Sequence, residues 1–577
     1  MQTLSVWAPR PKNVELAIQG QRIPMIRQAG DWWSVELSSL TAACDYGFVL
    51  DGEGPFPDPR SPYQPHGVEE LTHPISHQNF VWGDTNWQAP PLSSAVIYEL
   101  HIGTFTPRGT FDAAIEKLDH LVDLGVTHVE LMPVNEFSGQ HGWGYDGVDL
   151  YAPHHAYGVP ESLKRLVEAC HLKHLAVILD VVYNHFGPVG NYWAKFGPYL
   201  KDNFSTPWGP AINFDETHSD EVRRFFCDNA LMWLRDYHFD GLRLDALHAI
   251  VDNSAQPFVE QLAEEVKKLE AQLGRHLVLI AENDRNDPRF LWARGRGGFA
   301  LHAHWNDDFH HALHTALTGE TAGYYSDFGA LGDLCKALQR AYVYDGRYSP
   351  FRKRRQGRAP EGLDGSRFLA YLQNHDQIGN RVLGERSSHL MSPGRLKVAA
   401  ALVFTSPFLP MLFQGEEWGA TTPFLYFSNH RDPVLAEMVR EGRRREFAAF
   451  ADRRNEIPDP QALETFTRSK LVWKEMTQLR HAELLDWHKM LIRLRRSNPS
   501  LCDGRLEEVS ARCDEGERWL MVERGPWSIA CNLGQAPVTI ELRKGAHEMV
   551  AGSDVGILLD PPKVTLPPDS VAILKHA

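Results

Sequence analysis

Short apolar segments alternate with helical segments over about 400 residues of this chain, and this rhythm restricts the possible folds more than any other feature. Eight apolar segments are recognisable, from VIYELHI at 96–102 to FLPMLFQGEEWG at 408–419. The third, LAVILDVVYNH, is apolar without interruption until Asp180, as in a strand covered on both faces. Eight units of strand plus helix predict an α/β protein with a (β/α)8 TIM barrel and insertions.

Both ends of the chain have a different pattern, that of short strands separated by turn residues. LSVWAP, NVELAI and WWSVEL near the start predict a β-sandwich, and RWLMVER, WSIACNL and VTIEL near the end predict a second all-β region. We therefore expect three domains. They are an N-terminal β-sandwich of a carbohydrate-binding kind at 1–88, the catalytic barrel at 89–497 and a C-terminal β-domain at 498–577.

The helix that follows the first strand can be delimited from local signals. Apolar residues recur at helical spacing between Asp112 and Leu124, Thr110 is suited to cap the first turn, and Gly125 is suited to end the last. These signals predict one helix over 112–124.

Composition narrows the classes of partner. The chain has 577 residues and a formal net charge of −15 without a long acidic run, which favours a neutral or weakly polar substrate over a nucleic acid. Seven scattered cysteines with no CxxC pair indicate a reducing compartment and no zinc cluster. The start of the chain lacks the pattern of a secretory signal, and the most apolar segment, 398–413, is too short for a membrane span. We expect a cytoplasmic protein that has no membrane partner.

Polar residues stand where four of the predicted strands end. They are Asp180, Asn184 and His185 after the third strand, Arg243, Asp245 and His248 at the fourth, Glu282 at the fifth, and Asn374, His375 and Asp376 at the seventh. The carboxyl ends of barrel strands form one rim, where this fold builds its active sites. The sequence therefore predicts that several carboxyl groups converge there.

The segment FDGLRLDALHAI places Arg243 and Asp245 two positions apart, hence on one face of a strand. Cleavage of a glycosidic bond needs one carboxyl group as an acid and another as a carboxylate that meets the positive charge on the sugar. Crowding keeps one carboxyl group protonated, and we expect Arg243 to hold Asp245 ionised. A structural ion pair is the alternative for the two residues.

DVVYNH, GLRLDALH, AEND and QNHD occur in this order and resemble the four signature regions of the α-amylase family, glycoside hydrolase family 13. The resemblance covers most of the chain, because that family places a β-sandwich before its barrel and a β-domain after it. It implies that Asp245 is the nucleophile, Glu282 the general acid/base and Asp376 the stabiliser of the transition state. It also implies contacts with the first sugar from Asp180, His185, Arg243 and His375. For Asp180, an anchoring role in the Asn184 loop stays open.

HGWGYDGVDLYAPHHAYG, at 141–158, is similar to the loop in which that family stacks a sugar ring on an aromatic side chain, here Tyr145. Together with AENDRNDPR, QNHDQIGNR and FQGEEWGA, it resembles one branch of the family. That branch cuts the α-1,4 bond next to a terminal trehalose unit, so the expected substrates are maltooligosyl trehalose and related α-glucans. We expect further substrate contacts from His248, Asn283, Asp284 and Asn286, although the polar run 283–287 could instead cap a helix after the fifth strand.

Three other functions are weighed against this one. Glycogen branching enzymes share the domain order, but here Glu282 is followed by Asn283 and Asp284 rather than by Glu-Ser or Asp-Ser. Another hydrolase of the α-amylase family is the second alternative. A non-catalytic glycan-binding protein is the third, and it is disfavoured because all three carboxyl residues are present.

Two further features give no reason to expect a cofactor or a metal ion. His310 and His314 are spaced i,i+4 on a predicted helix, but there is no HExxH motif, so a zinc site is not expected. The basic segment RKRRQGR, at 352–358, is interpreted as a solvated or substrate-facing loop between strands six and seven. Trp193 is interpreted as a packing residue.

Overall fold

A computed structural model describes residues 2–37, 44–446, 457–543 and 545–576. Its centre is a closed barrel of eight parallel strands, each paired with the next along the chain, with β8 paired to β1. The strands are β1 Ile97–Leu100, β2 His128–Leu131, β3 Ala176–Val181, β4 Gly241–Leu244, β5 Val278–Ala281, β6 Ala303–Trp305, β7 Phe368–Ala370 and β8 Leu409–Phe413. The predicted fold class is confirmed.

The barrel interior is a packed apolar core, which accounts for the strands without polar alternation. Side chains from most of the strands form one buried cluster that includes Ile97, Ile178, Ile280, Leu369 and Met411. Burial on both faces requires apolar residues on both faces of each strand. The few charged residues inside these strands therefore stand out, and the register of β3 and β4 pairs two of them, Asp180 and Arg243.

Helices surround the barrel. Their ranges, from β1 onward, are Ile102–Phe105, Phe111–Ile115 and Leu118–Leu124; Pro160–Leu172; Trp193–Phe196 and Ser219–Asp236; Phe258–Leu273; Asp307–Thr318 and Leu331–Arg340; His375–Gly379, Ser387–Leu390 and Pro393–Thr405; and, after β8, Pro433–Glu446, Leu463–Arg468, Leu479–Ser497 and Pro499–Cys502. No described helix is both long enough and apolar enough to span a membrane.

Two helix predictions need correction. The helix expected over 112–124 is two helices, Phe111–Ile115 and Leu118–Leu124, although Thr110 accepts the capping hydrogen bond from Ala113 N and Gly125 ends the second helix with φ 98°. No α-helix connects β5 and β6, a segment that is described throughout. It holds only the 3-10 turns Pro288–Phe290 and Arg294–Arg296, because Pro288 and three nearby glycines disfavour a longer helix.

The N-terminal region consists of two antiparallel sheets. One has three strands, in the order Gln2–Trp7, Trp32–Leu37 and Ile26–Arg27, and the other has four, in the order Gln21–Pro24, Val14–Ile18, Tyr46–Leu50 and Glu53–Phe56. Trp7 packs edge-on against Tyr199, and Phe48 packs likewise against Phe196. The N-terminal sheets thus rest on the long segment that follows β3.

The C-terminal region also has two antiparallel sheets. The first has the order Val509–Asp514, Trp519–Arg524, Trp527–Asn532, Ser570–His576 and His547–Gly552, and the second has the order Val538–Glu541, Lys563–Leu566 and Leu558–Asp560. Two buried guanidinium groups connect this end of the chain to the turn before β8. Arg495 donates to the carbonyl oxygens of Phe404, Ser406 and Phe408, and Arg524 donates to that of Ser406. Burial lowers the pKa of each arginine to about 10.

Three hairpins rise from loops at the carboxyl end of the barrel. They are Asn135–Phe137 with Gly147–Pro153 after β2, Leu200–Thr206 with Gly209–Ile212 after β3, and Asp345–Ser349 with Arg354–Gly357 after β6. The first holds the loop with Tyr145 and the third includes the basic segment 352–358. The loop of the first and the turn of the second line the site described next.

Candidate active site

A cleft of about 310 Å³ opens over the carboxyl ends of the barrel strands. Of the twelve residues expected to be catalytic or to contact the substrate, seven line it: Tyr145, His185, Asp245, His248, Glu282, His375 and Asp376. Asp180 and Arg243 lie fully buried and are hydrogen-bonded to residues of the lining. The rim therefore brings together acidic side chains from four different strand ends.

Arg243 is the centre of this arrangement. It lies on β4 with its guanidinium 4.2 Å from the centroid of the Trp305 ring. Nη1 donates to Asp180 Oδ2 at 2.7 Å and to Asp245 Oδ1 at 2.8 Å. Nη2 lies 3.7 Å from Glu282 Oε2. Burial opposes the charge of Arg243, yet the surrounding carboxylates raise its pKa well above the usual range, so the group is a permanent cation.

Asp245 is oriented through both of its oxygens. Arg243 binds Oδ1, and Asn184 Nδ2 donates to Oδ2 at 2.8 Å. The next residue, Ala246, has φ 40°, a left-handed conformation that is strained for alanine. This turn directs the backbone N–H of Ala246 to Glu282 Oε2, at 2.5 Å. One strained residue therefore fixes the relation between the two carboxyl groups.

Glu282 directly follows β5 and is more strongly affected by burial than an ordinary surface carboxyl group. Burial raises the pKa of Glu282 well above its ordinary value, and the carboxylates of Asp245, Asp307 and Asp376 add to that effect, whereas Arg243 opposes it. The side chain still reaches the cleft, with 14% of it exposed. These surroundings favour the protonated form of Glu282.

Asp376 lies in the helix His375–Gly379, beyond the end of β7, and its side chain is half exposed. Its Oδ1 lies 3.3 Å from Asn380 Nδ2 and 3.5 Å from His375 Nε2. Burial disfavours a charged His375, but Glu99, whose carboxylate contacts Nδ1, and Asp376 together raise its pKa to about 9. A cation therefore stands beside Asp376 at neutral pH.

Tyr145 connects Asp180 with His375. Its hydroxyl donates to Asp180 Oδ2 at 2.6 Å and lies 2.9 Å from His375 Nε2, and its ring stacks on that of His375. His185 Nε2 lies 3.0 Å from the carbonyl oxygen of Tyr145. Burial raises the pKa of Asp180 to about 6, against the influence of Arg243. Asp180 thus makes hydrogen bonds within this network, beneath the cleft.

The polar run after β5 divides into two parts. Asp284 is partly exposed, accepts a hydrogen bond from Arg352 Nη1 at 2.9 Å and lies 4.0 Å from His248, which lines the cleft. Asn283 and Asn286 are buried instead. Asn286 Nδ2 donates to Asp308 Oδ2 at 2.8 Å, so the structure directs this amide away from the cleft.

The capping interpretation of this run also changes. Since no α-helix follows β5, the run has only a 3-10 turn to cap, and Asp287 does so by accepting from the N–H of Arg289. The basic segment 352–358 belongs to the hairpin after β6, and Arg352 faces Asp284.

Several residues of the site were not found from the sequence. Trp208, at the tip of the hairpin after β3, lines the cleft with 48% exposure and stacks on His185. Nothing in its local sequence distinguishes it. Glu99 of β1 holds His375, and here a signal existed, because a carboxylate inside the apolar segment VIYELHI is as unusual as Arg243 in β4. Trp193 is buried against Phe186, as expected of a packing residue.

One group of three potential metal ligands occurs among the described residues, Glu136, His154 and His155. Glu136 accepts from the backbone N–H of His155 and lies 2.7 Å from its Nδ1, while Gln140 Nε2 donates to His155 Nε2 at 2.8 Å. That donation leaves the ring proton on Nδ1, which is then a hydrogen-bond donor rather than a ligand. The group is a hydrogen-bonded brace at the base of the hairpin after β2.

The histidines on the helix Asp307–Thr318 are engaged in other contacts. His310 Nδ1 lies 2.7 Å from the carbonyl oxygen of Leu372, and its Nε2 lies 2.9 Å from the hydroxyl of Tyr325. His314 Nε2 lies 2.8 Å from Glu320. These nitrogen atoms of His310 and His314 therefore have partners within the protein.

Comparisons with known proteins agree with this geometry. Residues 77–208 match the family described as alpha amylase, catalytic domain, and residues 504–573 match a domain of unknown function, DUF3459. A solved structure titled as a putative alpha amylase from Salmonella typhimurium superposes with a TM-score of 0.92 at 36% identity, covering 100% of this chain and 97% of the other. The fold and the site thus define a barrel protein of the α-amylase class.

Curated relatives narrow the class. A malto-oligosyltrehalose trehalohydrolase from Mycobacterium tuberculosis (strain CDC 1551 / Oshkosh) is 47% identical over 583 residues, covering all of both chains. One from Arthrobacter ramosus is 48% identical, covering 96% of this chain and 98% of the relative. The chain belongs to the malto-oligosyltrehalose trehalohydrolase family.

Proposed function

We propose that this protein hydrolyses the α-1,4-glucosidic bond next to the terminal trehalose of maltooligosyl trehalose, releasing trehalose and a maltooligosaccharide. The observation that carries the proposal is the unequal surroundings of two adjacent carboxyl groups. Arg243 and Asn184 donate hydrogen bonds to the two oxygens of Asp245, whereas burial raises the pKa of Glu282 well above its ordinary value. Full-length similarity to enzymes named for this reaction supports the choice of substrate.

In the proposed mechanism, Glu282 protonates the departing glycosidic oxygen while Asp245 attacks the anomeric carbon and forms a covalent glycosyl ester. Trehalose then leaves, and Glu282, now a carboxylate, takes a proton from the water that breaks the ester. Asp376 stabilises the positive charge of both transition states. Two inversions at the anomeric carbon give retention, so the released maltooligosaccharide is initially the α-anomer.

Recognition of the sugars follows from the walls of the cleft. We assign Tyr145, Asp180, His185 and His375 to the ring whose anomeric carbon reacts, with Asp180 acting through Tyr145 and Arg243. His248 and Asp284 stand on the side where the leaving group departs, together with Trp208. We further propose a reducing compartment, such as the cytoplasm, as the place of this reaction, because Cys170, Cys227, Cys335, Cys502, Cys513 and Cys531 are free thiols.

The test is a parallel incubation with maltotriosyl trehalose, maltopentaose and amylose, with product analysis and proton NMR of fresh product. We expect trehalose from the first substrate at a kcat/KM at least about tenfold above that for maltopentaose, because groups placed for trehalose are left unpaired by maltose. Glu282→Gln, purified in parallel, controls for contaminating amylases. Equal cleavage would indicate an amylase-like hydrolase, new α-1,6 branches a branching enzyme, and binding without cleavage a glycan-binding protein.

A further inference from the structure

The helix Pro433–Glu446, outside the barrel, reaches the site through one side chain, Arg443. Its Nη1 donates to Asn380 Oδ1 at 3.1 Å, and its Nη2 donates to the carbonyl oxygen of Gly379 at 2.9 Å. The guanidinium also lies over the ring of Tyr426, 4.8 Å from its centroid, and Tyr426 lines the cleft. With only 13% of its side chain exposed, Arg443 is largely buried and contacts Asn380 and Tyr426, two residues of the cleft lining.

Asn380 transmits this contact to Asp376. The amide is bound at Oδ1 by Arg443, and its Nδ2 faces Asp376 Oδ1 at 3.3 Å. Fixing the amide oxygen determines where its two N–H donors point. Asp376 has few other restraints, because half of its side chain is exposed and His375 Nε2 lies 3.5 Å away.

The segment between Asp376 and Asn380 is also contacted by Trp143. A Cβ atom on Gly379 would lie 2.0 Å from Cζ2 of Trp143, so the Trp143 indole packs directly on the backbone of the helix His375–Gly379. Trp143 is itself held by a hydrogen bond from Nε1 to the carbonyl oxygen of Leu425. The end of this short helix is thus clamped between Trp143 and Arg443.

We infer that Arg443 is a positioning residue for the reaction, which fixes Asp376 through Asn380 while making no contact with the reacting atoms itself. The inference rests on the proposed function, since it assumes that Asp376 stabilises the transition state. A carboxylate that is half exposed and loosely held loses catalytic value when it moves, because displacements near 1 Å can cost about 10²-fold in rate. The helix after β8 therefore contributes to turnover without lining the reaction centre.

The first experiment compares Arg443→Gln, Arg443→Lys and the control Arg440→Gln on maltotriosyl trehalose. Arg440 lies on the same helix but binds Asp459 and Glu437 at the surface. We expect Arg443→Gln to lower kcat about 10-fold, with KM changed less than about 3-fold and an unchanged thermal midpoint. Lysine cannot bind two oxygens with a fixed fork, so Arg443→Lys should be intermediate. Arg440→Gln should equal the unmodified protein.

The second experiment tests the route through Asn380 with a double-mutant cycle. Asn380→Ala should lower kcat to a similar extent, and the double variant Arg443→Gln/Asn380→Ala should be no worse than the more damaged single variant. If the effects of the two substitutions on kcat multiply, the route through Asn380 is wrong. If kcat of Arg443→Gln stays within about twofold of that of the unmodified protein, the inference itself is wrong. Absence of trehalose release by the unmodified protein would instead refute the proposed function, so the two failures are distinguishable.

Discussion

Buried charged clusters occur at both ends of the barrel, and they differ in how completely their charges are paired. At the amino ends of β3 and β4, Asp240 accepts from Trp87 Nε1 and from the backbone N–H of Val177, and both of its oxygens are bound. His171 lies between Asp240 and Asp84, 2.9 Å and 2.6 Å away. These contacts outweigh burial, lower the pKa of both aspartates and raise that of His171.

At the carboxyl ends, the pKa values of the buried carboxyl groups shift in the opposite direction. Burial raises the pKa of Glu282 well above its usual range and those of Asp180 and Asp307 to about 6. Asp180 Oδ1 and the Nε and Nη2 atoms of Arg243 are buried without hydrogen-bond partners. A saturated cluster stabilises the fold, whereas an unsaturated one retains bonding capacity for a substrate. How completely the charges of a cluster are paired, rather than which residues it contains, indicates whether the cluster stabilises the fold or binds a substrate.

The largest expected effect is on turnover at the unsaturated end. Glu282→Gln and Asp245→Asn should each lower kcat by at least about 10³-fold, because one removes the acid and the other the nucleophile. The thermal midpoint of Glu282→Gln should not fall, since burial already disfavours the charged form of Glu282. Steady-state kinetics with calorimetric unfolding on the same samples measure both quantities. A variant with near-native turnover would reject the assignment of that residue.

The second prediction reverses this outcome at the other end. Asp240→Asn should destabilise the protein by about 3 kcal/mol, because a buried charge network loses one partner, while kcat of the folded protein stays within about twofold. Urea unfolding measures the first quantity and kinetics the second. Asp119→Asn is the matched control, since Asp119 is 85% exposed and pairs only at the surface with Lys173. If the two variants were equally stable, the proposed difference between the clusters at the two ends of the barrel would be wrong.

A smaller effect is expected on specificity. Asp284→Ala should reduce the preference for maltotriosyl trehalose over maltopentaose about 10-fold, because it removes an acceptor beside His248 on the leaving-group side. Asn286→Ala is the comparison, since its amide is bound by Asp308 within the protein. It should lower stability and leave the preference unchanged. The ratio of kcat/KM for the two substrates, measured for each variant, tests this prediction.

The smallest expected effect concerns pH and stability. Folding raises the pKa of Glu282, so its protonated form is favoured in the native state and the native state loses stability as pH rises above the ordinary glutamate pKa. Glu282→Gln should therefore unfold about 1–2 °C above the unmodified protein at pH 7.5. Asp240 has a lowered pKa, so its contribution is present above the ordinary aspartate pKa and is lost as pH falls. The deficit of Asp240→Asn should accordingly shrink below about pH 4.

The sequence predicted the fold because barrel strands carry a strong pattern. Each strand is buried on both faces, so its apolar character does not depend on distant contacts, and the three carboxyl residues follow or lie near strand ends that the fold must bring together. The direction in which a side chain points was less predictable. Asn286 follows Glu282 by four residues yet turns inward, because Asp308 and the carbonyl oxygen of Tyr344 bind its amide from segments far along the chain.

The sequence pattern did not predict the site residues that lie on inserted hairpins and outer helices. Trp208 reaches the cleft only through the turn of its hairpin, and Arg443 only through the packing of a helix that follows β8. Neither position has a local signal, since an exposed tryptophan and a helical arginine are both common. The expected helix over 112–124 is interrupted at Glu116 and Lys117, and nothing in the local sequence marks that break.

The guanidinium groups that bind the turn before β8 also bear on how the protein is made. Arg495 follows Phe404 by 91 residues, and Arg524 follows Thr405 by 119, so a chain emerging from the ribosome exposes β8 long before these donors exist. The last barrel strand is then secured only near the end of translation. Until that moment the turn before β8 lacks the donors that bind its buried carbonyl oxygens, which makes this interval the one in which a chaperone has the most to protect.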